Sequence, residues 1–287
     1  MRTAGIDIGG TSIKLGVFED DTLIHKISIK TPRGNPQAVC DVIAQHLRRQ
    51  NVTFAGVGTA GSVDLRRGVV SASNLGWEAV PLKQMLQDTL QMPVWVDNDA
   101  QAALMAEWHS GVCQGADCAL YITLGTGIGG AMIVEGKPTR GPNNLGCEFG
   151  HMILHPHGPR CGCGRRGCLE YYASATGLSR MAGGRSAYDV LQKAKAGDAQ
   201  SLRIFNTYVH ELSLGLNNLI MIFDPQVIVL GGGVSGAGDF LADACQRELE
   251  RIFAPTTDPL LCQVRIAKHQ NDAGMLGAMI LARQNLA

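Results

Sequence analysis

A pattern of strand, glycine turn and strand occurs twice in the chain. Near the N-terminus a β-rich run ending at Ile8 is followed by Gly9-Gly10-Thr11 and a second β-rich run. The pattern starts again with the apolar run 120–124, the turn Gly125-Thr126-Gly127 and another run. Helical periodicity alternating with short apolar strands follows each copy. The duplication therefore predicts an α/β fold of two related domains with a ligand cleft between them.

The second glycine turn places the domain boundary near residue 115. We expect an N-terminal α/β domain over 1–115 and a C-terminal α/β domain over 116–272. The last helical pattern, 273–287, is expected to join the N-terminal domain. The C-terminal domain includes an irregular, cysteine-rich loop over 151–168.

Composition excludes several classes of partner. The 25 basic and 25 acidic side chains give a formal net charge of +0, which leaves no field to hold nucleic acid or an anionic membrane. The longest apolar segment, around 212–223, is shorter than the ~20 residues that span a bilayer and predicts a buried helix. The chain starts directly into a strand and has an odd number of cysteines, nine. We therefore expect no export signal, reduced thiols and a cytoplasmic location.

Three glycine turns suit phosphate binding. In such turns backbone N–H groups can approach phosphate oxygens, and an acid at the strand end can order Mg²⁺ or its waters. Each turn alone is also explained as a plain turn or as close helix–strand packing. The Walker pattern is missing, and the second turn is followed by a strand instead of the Rossmann crossover helix. The candidate nucleotide-binding residues are Asp7, Gly9, Gly10, Thr11, Gly125, Thr126, Gly127, Gly231, Gly232 and Gly233.

A cysteine cluster gives the most specific signal in the chain. Cys161, Cys163 and Cys168 fall within eight residues on glycine turns, and His151 lies ten residues upstream. Three thiolates and one imidazole are suited to tetrahedral zinc. Four protein ligands leave no open position, so the sequence predicts a structural Zn²⁺ site. A chance pair of thiols or a redox Cys-x-Cys would not require the third cysteine.

Carboxylates occur at two places where a ligand could meet them. Asn98-Asp99 lies between an apolar strand and a helix, where an acid could act as a base. Taken alone, the pair is better explained by helix capping. Glu148 and Glu170 flank the cysteine cluster, so a metal there would hold both in place. Acid and amide groups arranged in this way suit hydrogen bonds to several hydroxyls.

Taken together, these motifs resemble the ROK family of sugar kinases and repressors over nearly the whole chain. The segments that carry the resemblance are Asp7-Ile-Gly-Gly-Thr11, Asn74-Leu-Gly-Trp77, Asn98-Asp99, Leu124-Gly-Thr-Gly-Ile-Gly-Gly130, Glu148-Phe-Gly-His151, the cysteine loop through Glu170, and Leu230-Gly-Gly-Gly233. The resemblance implies two actin-like (ribonuclease H-like) ATPase domains that close on ATP and a sugar. It also implies a homodimer.

The resemblance assigns roles to residues at matching positions. Asp99 would be the catalytic base, and the N-terminal domain would form the sugar and phosphate side. The sugar contacts would be Gly61, Asn74, Asn98, Glu148, His151 and Glu170. One departure is Ser12, where many relatives have lysine, and Lys14 would share a strand face with Ser12. The basic group that assists the phosphates is therefore left open.

Two functions remain after these assignments. One is ATP-dependent phosphorylation of a hexose or N-acetylhexosamine, at the 6-hydroxyl, with ATP, Mg²⁺ and structural Zn²⁺. The other is a catalytically idle sugar sensor of the same family. An intact Asn98-Asp99 pair favours the kinase, because a sensor needs no base. The regulators carry a DNA-binding segment ahead of the first glycine turn, and only six residues precede Asp7 here. The residues do not identify the sugar.

Overall fold

The computed structural model describes residues 1–141, 146–256 and 259–286. Within these ranges the chain divides into two compact units. The first comprises 1–110, 141 and 271–286, and the second comprises 111–140, 146–256 and 259–270. The last helix therefore belongs to the first unit.

Strands and helices alternate through most of the described chain. The strands are β1 (Arg2–Ile8), β2 (Ser12–Glu19), β3 (Thr22–Lys30), β4 (Phe54–Thr59), β5 (Ser62–Asp64), β6 (Val69–Ala72), β7 (Trp77–Val80), β8 (Val94–Asn98), β9 (Ala119–Leu124), β10 (Ile128–Val134), β11 (Lys137–Thr139), β12 (Val227–Gly231) and β13 (Gln263–Ile266). The α-helices are α1 (Pro36–Leu47), α2 (Leu82–Leu90), α3 (Asp99–Ser110), α4 (Leu169–Ala173), α5 (Ala175–Met181), α6 (Ala187–Lys195), α7 (Ala199–Phe223), α8 (Asp239–Phe253) and α9 (Ala273–Leu286).

The first unit is built on a five-stranded sheet with the order β3-β2-β1-β4-β8. β1, β2 and β3 form an antiparallel meander, whereas β4 and β8 run parallel to β1. Helix α9 packs on this sheet so closely that a Cβ atom at Gly56 would lie 1.8 Å from the Ala278 carbonyl oxygen. A smaller antiparallel sheet, β5-β6-β7, belongs to the same unit. The main core lies between the large sheet and helices α1 and α2.

The second unit repeats the first sheet with the order β11-β10-β9-β12-β13. β9 pairs antiparallel with β10 and parallel with β12, as β1 does with β2 and β4. Its core packs α7 and α8 against this sheet, and Tyr208 and Phe205 are among its largest buried side chains. The same strand order in both units confirms the α/β fold class, two actin-like (ribonuclease H-like) domains.

Parallel strands place the candidate site residues at their carboxyl ends. Asp7 lies near the end of β1 and Asn98 ends β8 in the first unit, and Gly231 ends β12 in the second. This edge of an α/β sheet is where ligands bind. Among the described residues, no helix has both the length and the apolarity needed to cross a membrane.

Candidate functional site

Asp7 meets a lysine beside the first glycine turn. Asp7 and Lys14 face each other across β1 and β2, and Lys14 Nζ lies 3.7 Å from Asp7 Oδ2. The same ammonium donates to the Asn271 carbonyl oxygen at 2.8 Å. Burial raises the pKa of Asp7, while the charge of Lys14 and its hydrogen bond lower it. Lys14 therefore balances the charge of the partly buried carboxylate and is held in place beside the turn.

The segment after β3 holds the first glycine turn in shape. Thr31 donates its hydroxyl to the Gly9 carbonyl at 2.7 Å and its backbone N–H to the Thr11 carbonyl at 3.1 Å. Arg33 Nε donates to the Gly10 carbonyl. All three carbonyls of the turn thus have partners, and the Gly9 N–H donates to the Ser12 carbonyl at 3.0 Å. The N–H groups of Gly10 and Thr11 are the ones left for a ligand.

Asn98 has the capping role that the sequence allows. Its Oδ1 accepts the backbone N–H groups of Ala100 at 2.9 Å and Gln101 at 3.3 Å, which satisfies the first turn of α3. Its Nδ2 donates to the Gly61 carbonyl at 3.0 Å. Asn98 therefore links the start of α3 to the loop after β4, and one N–H of its amide remains unused.

Asp99 begins α3, and its Oδ1 accepts the Ala100 N–H at 2.9 Å. Burial is the main cause that raises the pKa of Asp99 to about 7, and the negative charge of Asp7 raises it further. Hydrogen bonds from Ala100 and Asn98 oppose the shift. A carboxyl group with this pKa can accept a proton near neutral pH, as a general base must.

Gly61 and Asn74 each lie next to another candidate site residue of the first unit. Gly61 has φ +98°, and a Cβ atom there would lie 2.4 Å from the Ser71 carbonyl oxygen, so glycine is required. Asn74 lies in a short 3-10 helix, and a Cβ atom at Gly10 would lie 3.3 Å from its Nδ2. The first glycine turn therefore adjoins Asn74, and the loop of Gly61 adjoins Asn98.

In the second unit, Glu170 is attached to the second glycine turn. Its Oε2 accepts the N–H of Ile128 at 2.9 Å, and a Cβ atom at Gly127 would lie 2.4 Å from the same oxygen. Next to it, Ala175 N–H donates to the Gly125 carbonyl and Thr176 Oγ1 to the Thr126 carbonyl, both at 2.8 Å. The segment that follows Cys168 therefore fixes this turn.

The third glycine turn, Gly231 to Gly233, packs against β9, the strand that precedes the second glycine turn. Gly232 has φ +80°, and a Cβ atom there would lie 2.8 Å from the Leu124 backbone. A Cβ atom at Gly231 would lie 2.0 Å from the Tyr121 hydroxyl. Gly233 opens a short 3-10 helix, and α8 follows from Asp239. Close packing explains two of these glycines, and Gly233 has open space.

The cysteine cluster has the geometry of a zinc site. One ligand atom from each of His151, Cys161, Cys163 and Cys168 lies within 4.8 Å of the others. Cys163 Sγ is 3.7 Å from Cys168 Sγ, and His151 Nδ1 is 3.9 Å from Cys161 Sγ. Thiolates at Zn–S distances of about 2.3 Å in a tetrahedron would be about 3.8 Å apart. The donor set and its spacing therefore fit Zn²⁺.

The ligand atoms leave one face of the histidine available. His151 directs Nδ1 to the cluster, so Nε2 is the nitrogen that can reach another partner.

Burial raises the pKa of Cys161 and Cys168, so these thiols would release protons when a metal binds. Glu148 is exposed, and its carbonyl accepts the His151 N–H at 3.0 Å.

The structure thus groups the predicted residues within each unit. The first unit holds one set: Asp7, Gly9, Gly10, Thr11, Gly61, Asn74, Asn98 and Asp99. The second holds the other: Gly125, Thr126, Gly127, Glu148, His151, Cys161, Cys163, Cys168, Glu170, Gly231, Gly232 and Gly233. Sequence reasoning missed Arg33 beside Gly10 and the bond from Ile128 to Glu170. The turn-rich run from Thr31 to Pro36 was the only local signal for Arg33.

The ROK family model matches residues 3–285. A glucokinase of Halalkalibacterium halodurans is 33% identical, covering 98% of this chain and 94% of its own. An N-acetylmannosamine kinase of Yersinia pestis is 34% identical, covering 98% of each chain.

Solved structures give the same comparison. A ROK hexokinase from Thermus thermophilus superposes with a TM-score of 0.88 at 34% identity, covering 100% of this chain and 99% of its own. A ROK family glucokinase from Streptomyces griseus, in complex with glucose and AMPPNP, gives a TM-score of 0.87 at 32% identity, covering 99% and 100%.

Proposed function

The chain belongs to the ROK family, and on that premise we propose that it is an ATP-dependent sugar kinase. It transfers the γ-phosphoryl group of ATP to a hexose or an N-acetylhexosamine, at the 6-hydroxyl. The observation that carries this proposal is Asp99, whose pKa is raised to about 7 at the start of α3. A sensor of the same fold would need no base, and the relatives above are named as kinases.

Asp99 takes the proton of the accepting hydroxyl as its oxygen attacks the γ-phosphorus of ATP. The new O–P bond forms, the bond from the γ-phosphorus to the bridging oxygen breaks, and ADP leaves. Most of the rate enhancement in such transfers comes from positioning and charge stabilisation. Base catalysis contributes roughly 10²–10⁴-fold.

Sugar recognition is assigned to amide, carboxylate and imidazole groups. Gly61, Asn74 and Asn98 contribute from the first unit, and Glu148, His151 and Glu170 from the second. Zn²⁺ at the cysteine cluster would fix His151 and would leave its Nε2 for a sugar hydroxyl. It would also fix Glu170, which lies two residues after the ligand Cys168. The metal is structural in this proposal and holds no reacting water.

Nucleotide binding is assigned to the three glycine turns. Gly9, Gly10 and Thr11 form the turn in one unit, and Gly125, Thr126, Gly127 and Gly231, Gly232, Gly233 form the turns in the other. The N–H groups of Gly9 and Gly125 are used within their own turns, so the remaining N–H groups would face the phosphates. Asp7 would order Mg²⁺, which supplies charge neutralisation on the phosphates when bound. We further propose a cytoplasmic location, in line with nine cysteines that form no disulfide, and a homodimer, which the family resemblance implies. Light scattering on the purified protein tests the dimer.

A panel of sugars tests the proposed function. The purified chain is incubated with Mg-ATP and glucose, mannose, fructose, N-acetylmannosamine or N-acetylglucosamine, and ADP release is followed by a coupled assay. We expect sugar-dependent ADP release with at least one of them, and ³¹P NMR of the product identifies the phosphorylated hydroxyl. The Asp99→Asn variant controls for contaminating kinases. No release above the sugar-free rate with any sugar would contradict the proposal.

A further inference from the structure

Arg33 lies in the segment that runs along the first glycine turn. The segment follows β3, and its Thr31 binds the carbonyls of Gly9 and Thr11. On the other side, Gly34 N–H donates to the Leu75 carbonyl at 2.9 Å. These backbone contacts place the Arg33 side chain beside the turn, where its Nε donates to the Gly10 carbonyl. The guanidinium is therefore anchored and not a freely rotating surface charge.

Most hydrogen-bond donors of this guanidinium are unused. Arginine carries five N–H donors in a planar fork, and one of them is taken by Gly10. Among the residues that the structure describes, the Gly10 carbonyl is the only polar partner of the Arg33 side chain, which is exposed. Four donors thus remain for a ligand. A planar fork of this kind matches the oxygens of a phosphoryl group.

Lys14, another cation near the turn, is already engaged in contacts. It lies 3.7 Å from Asp7 Oδ2 and donates to the Asn271 carbonyl at 2.8 Å. Ser12 carries no charge. Lys30 lies opposite Ser12 in the pairing of β2 with β3, but no described hydrogen bond holds it to the turn. In the described part of the first unit, Arg33 is the cation whose side chain is hydrogen-bonded to the glycine turn and still has unused donors.

The neighbour of Gly10 on its other side, Asn74, indicates which part of the substrates would lie next to Arg33. A Cβ atom at Gly10 would lie 3.3 Å from Nδ2 of Asn74, a residue assigned above to the sugar. Gly10 thus lies between the guanidinium and a sugar contact. Negative charge on a group that moves from ATP to the sugar spreads over its equatorial oxygens during transfer.

We propose that Arg33 is a further catalytic residue that binds the phosphoryl group during its transfer to the sugar. This inference rests on the proposed kinase function. Arg33 supplies the positive charge that Ser12 lacks, and its contact is stronger in the transition state than with ATP. Removing it therefore lowers kcat more than it weakens substrate binding.

Three variants test the role of Arg33: Arg33→Ala, Arg33→Lys and, as a control, Arg49→Met at another exposed arginine of the same unit. The sugar is the best one from the panel above. For Arg33→Ala we expect kcat to fall at least about 100-fold, below the 10³–10⁵ range of arginine fingers, with the Kd of the free sugar unchanged. Arg33→Lys should lie between, because it keeps the charge without the fork. Arg49→Met should match the parent.

Two further measurements separate catalysis from a purely structural role. Guanidinium chloride at millimolar concentration should restore part of the kcat of Arg33→Ala, and the complex of ADP, aluminium fluoride and sugar should be weakened much more than the ADP complex. If Arg33 only braced the turn, ADP affinity and Tm would fall together with kcat and added guanidinium would restore nothing. That result, or parental kcat in Arg33→Ala, would overturn the inference while leaving the kinase function in place. An inactive parent would overturn both.

Discussion

Glu170 is expected to control nucleotide binding as well as sugar binding. Its Oε2 accepts the Ile128 N–H at 2.9 Å and lies against Gly127, while its Oε1 lies 3.7 Å from Cys161 Sγ. Glu170 therefore contacts both the cysteine cluster and the second glycine turn. Substituting it should disturb the phosphate-binding turn even when no sugar is present.

The size of the effect follows from the bond that is lost. A hydrogen bond to a charged group contributes about 1.5–3 kcal/mol, and Glu170 is only partly buried, so we take about 1.5 kcal/mol. In Glu170→Ala this corresponds to about tenfold weaker binding of Mg-ADP. Glu170→Gln keeps a neutral acceptor for Ile128 N–H, worth about 1 kcal/mol, so its loss should be only about twofold.

Isothermal titration with Mg-ADP in the absence of sugar measures this effect directly. Glu148→Gln is the matched control, because Glu148 is an exposed, sugar-assigned carboxylate that no described contact ties to the turn. It should weaken sugar binding and leave the Kd for Mg-ADP at the parental value. Parental Mg-ADP affinity in Glu170→Ala, together with weakened sugar binding, would refute the reasoning and leave Glu170 as a sugar contact alone.

Other predictions concern charge and metal. The pKa of Asp99 is raised to about 7, so kcat/KM should fall as pH drops through 7, and a profile flat to pH 5 would contradict it. Because this pKa exceeds its unfolded value, the ionised carboxylate costs stability as pH rises through 7, and Asp99→Asn should raise Tm at pH 8 but not near pH 4. Cys163→Ser should lower zinc from about one per chain and weaken sugar binding, whereas Cys118→Ser should retain both, with zinc measured by mass spectrometry. Lys14→Met should raise the pKa of Asp7 further, so this variant should bind Mg-ADP more weakly than the parent, and the difference should be larger at pH 6 than at pH 8. The same increase in Kd at both pH values would contradict this.

Local patterns were sufficient for the main sheets and for the four histidine and cysteine side chains that the fold groups together. The repeated meander predicted the antiparallel pairing of β1 with β2 and of β9 with β10, because short strands joined by glycine turns pair with their neighbours. The sheet β5-β6-β7 was missed, since its strands are three or four residues long and carry little periodicity. β13, with four residues, was missed for the same reason.

Contacts between distant parts of the chain could not be read from spacing. The bond from Ile128 to Glu170 joins residues 42 positions apart, and that from Arg33 to Gly10 joins residues 23 apart. Asn98-Asp99 was ambiguous for a different reason, because capping and catalysis use neighbouring atoms. Asn98 caps α3, while the raised pKa of Asp99 comes from burial and from Asp7, which only the fold brings near.

The central claim is that this chain is a kinase whose base is Asp99, and a single comparison tests it most directly. Sugar binding is measured by calorimetry, and single-turnover transfer from Mg-ATP to the best sugar by rapid quench, for the parent and for Asp99→Asn. The account predicts the same Kd for the sugar and a transfer rate lower by about 10²–10⁴-fold, as for loss of a general base. Transfer by Asp99→Asn at the parental rate would contradict it.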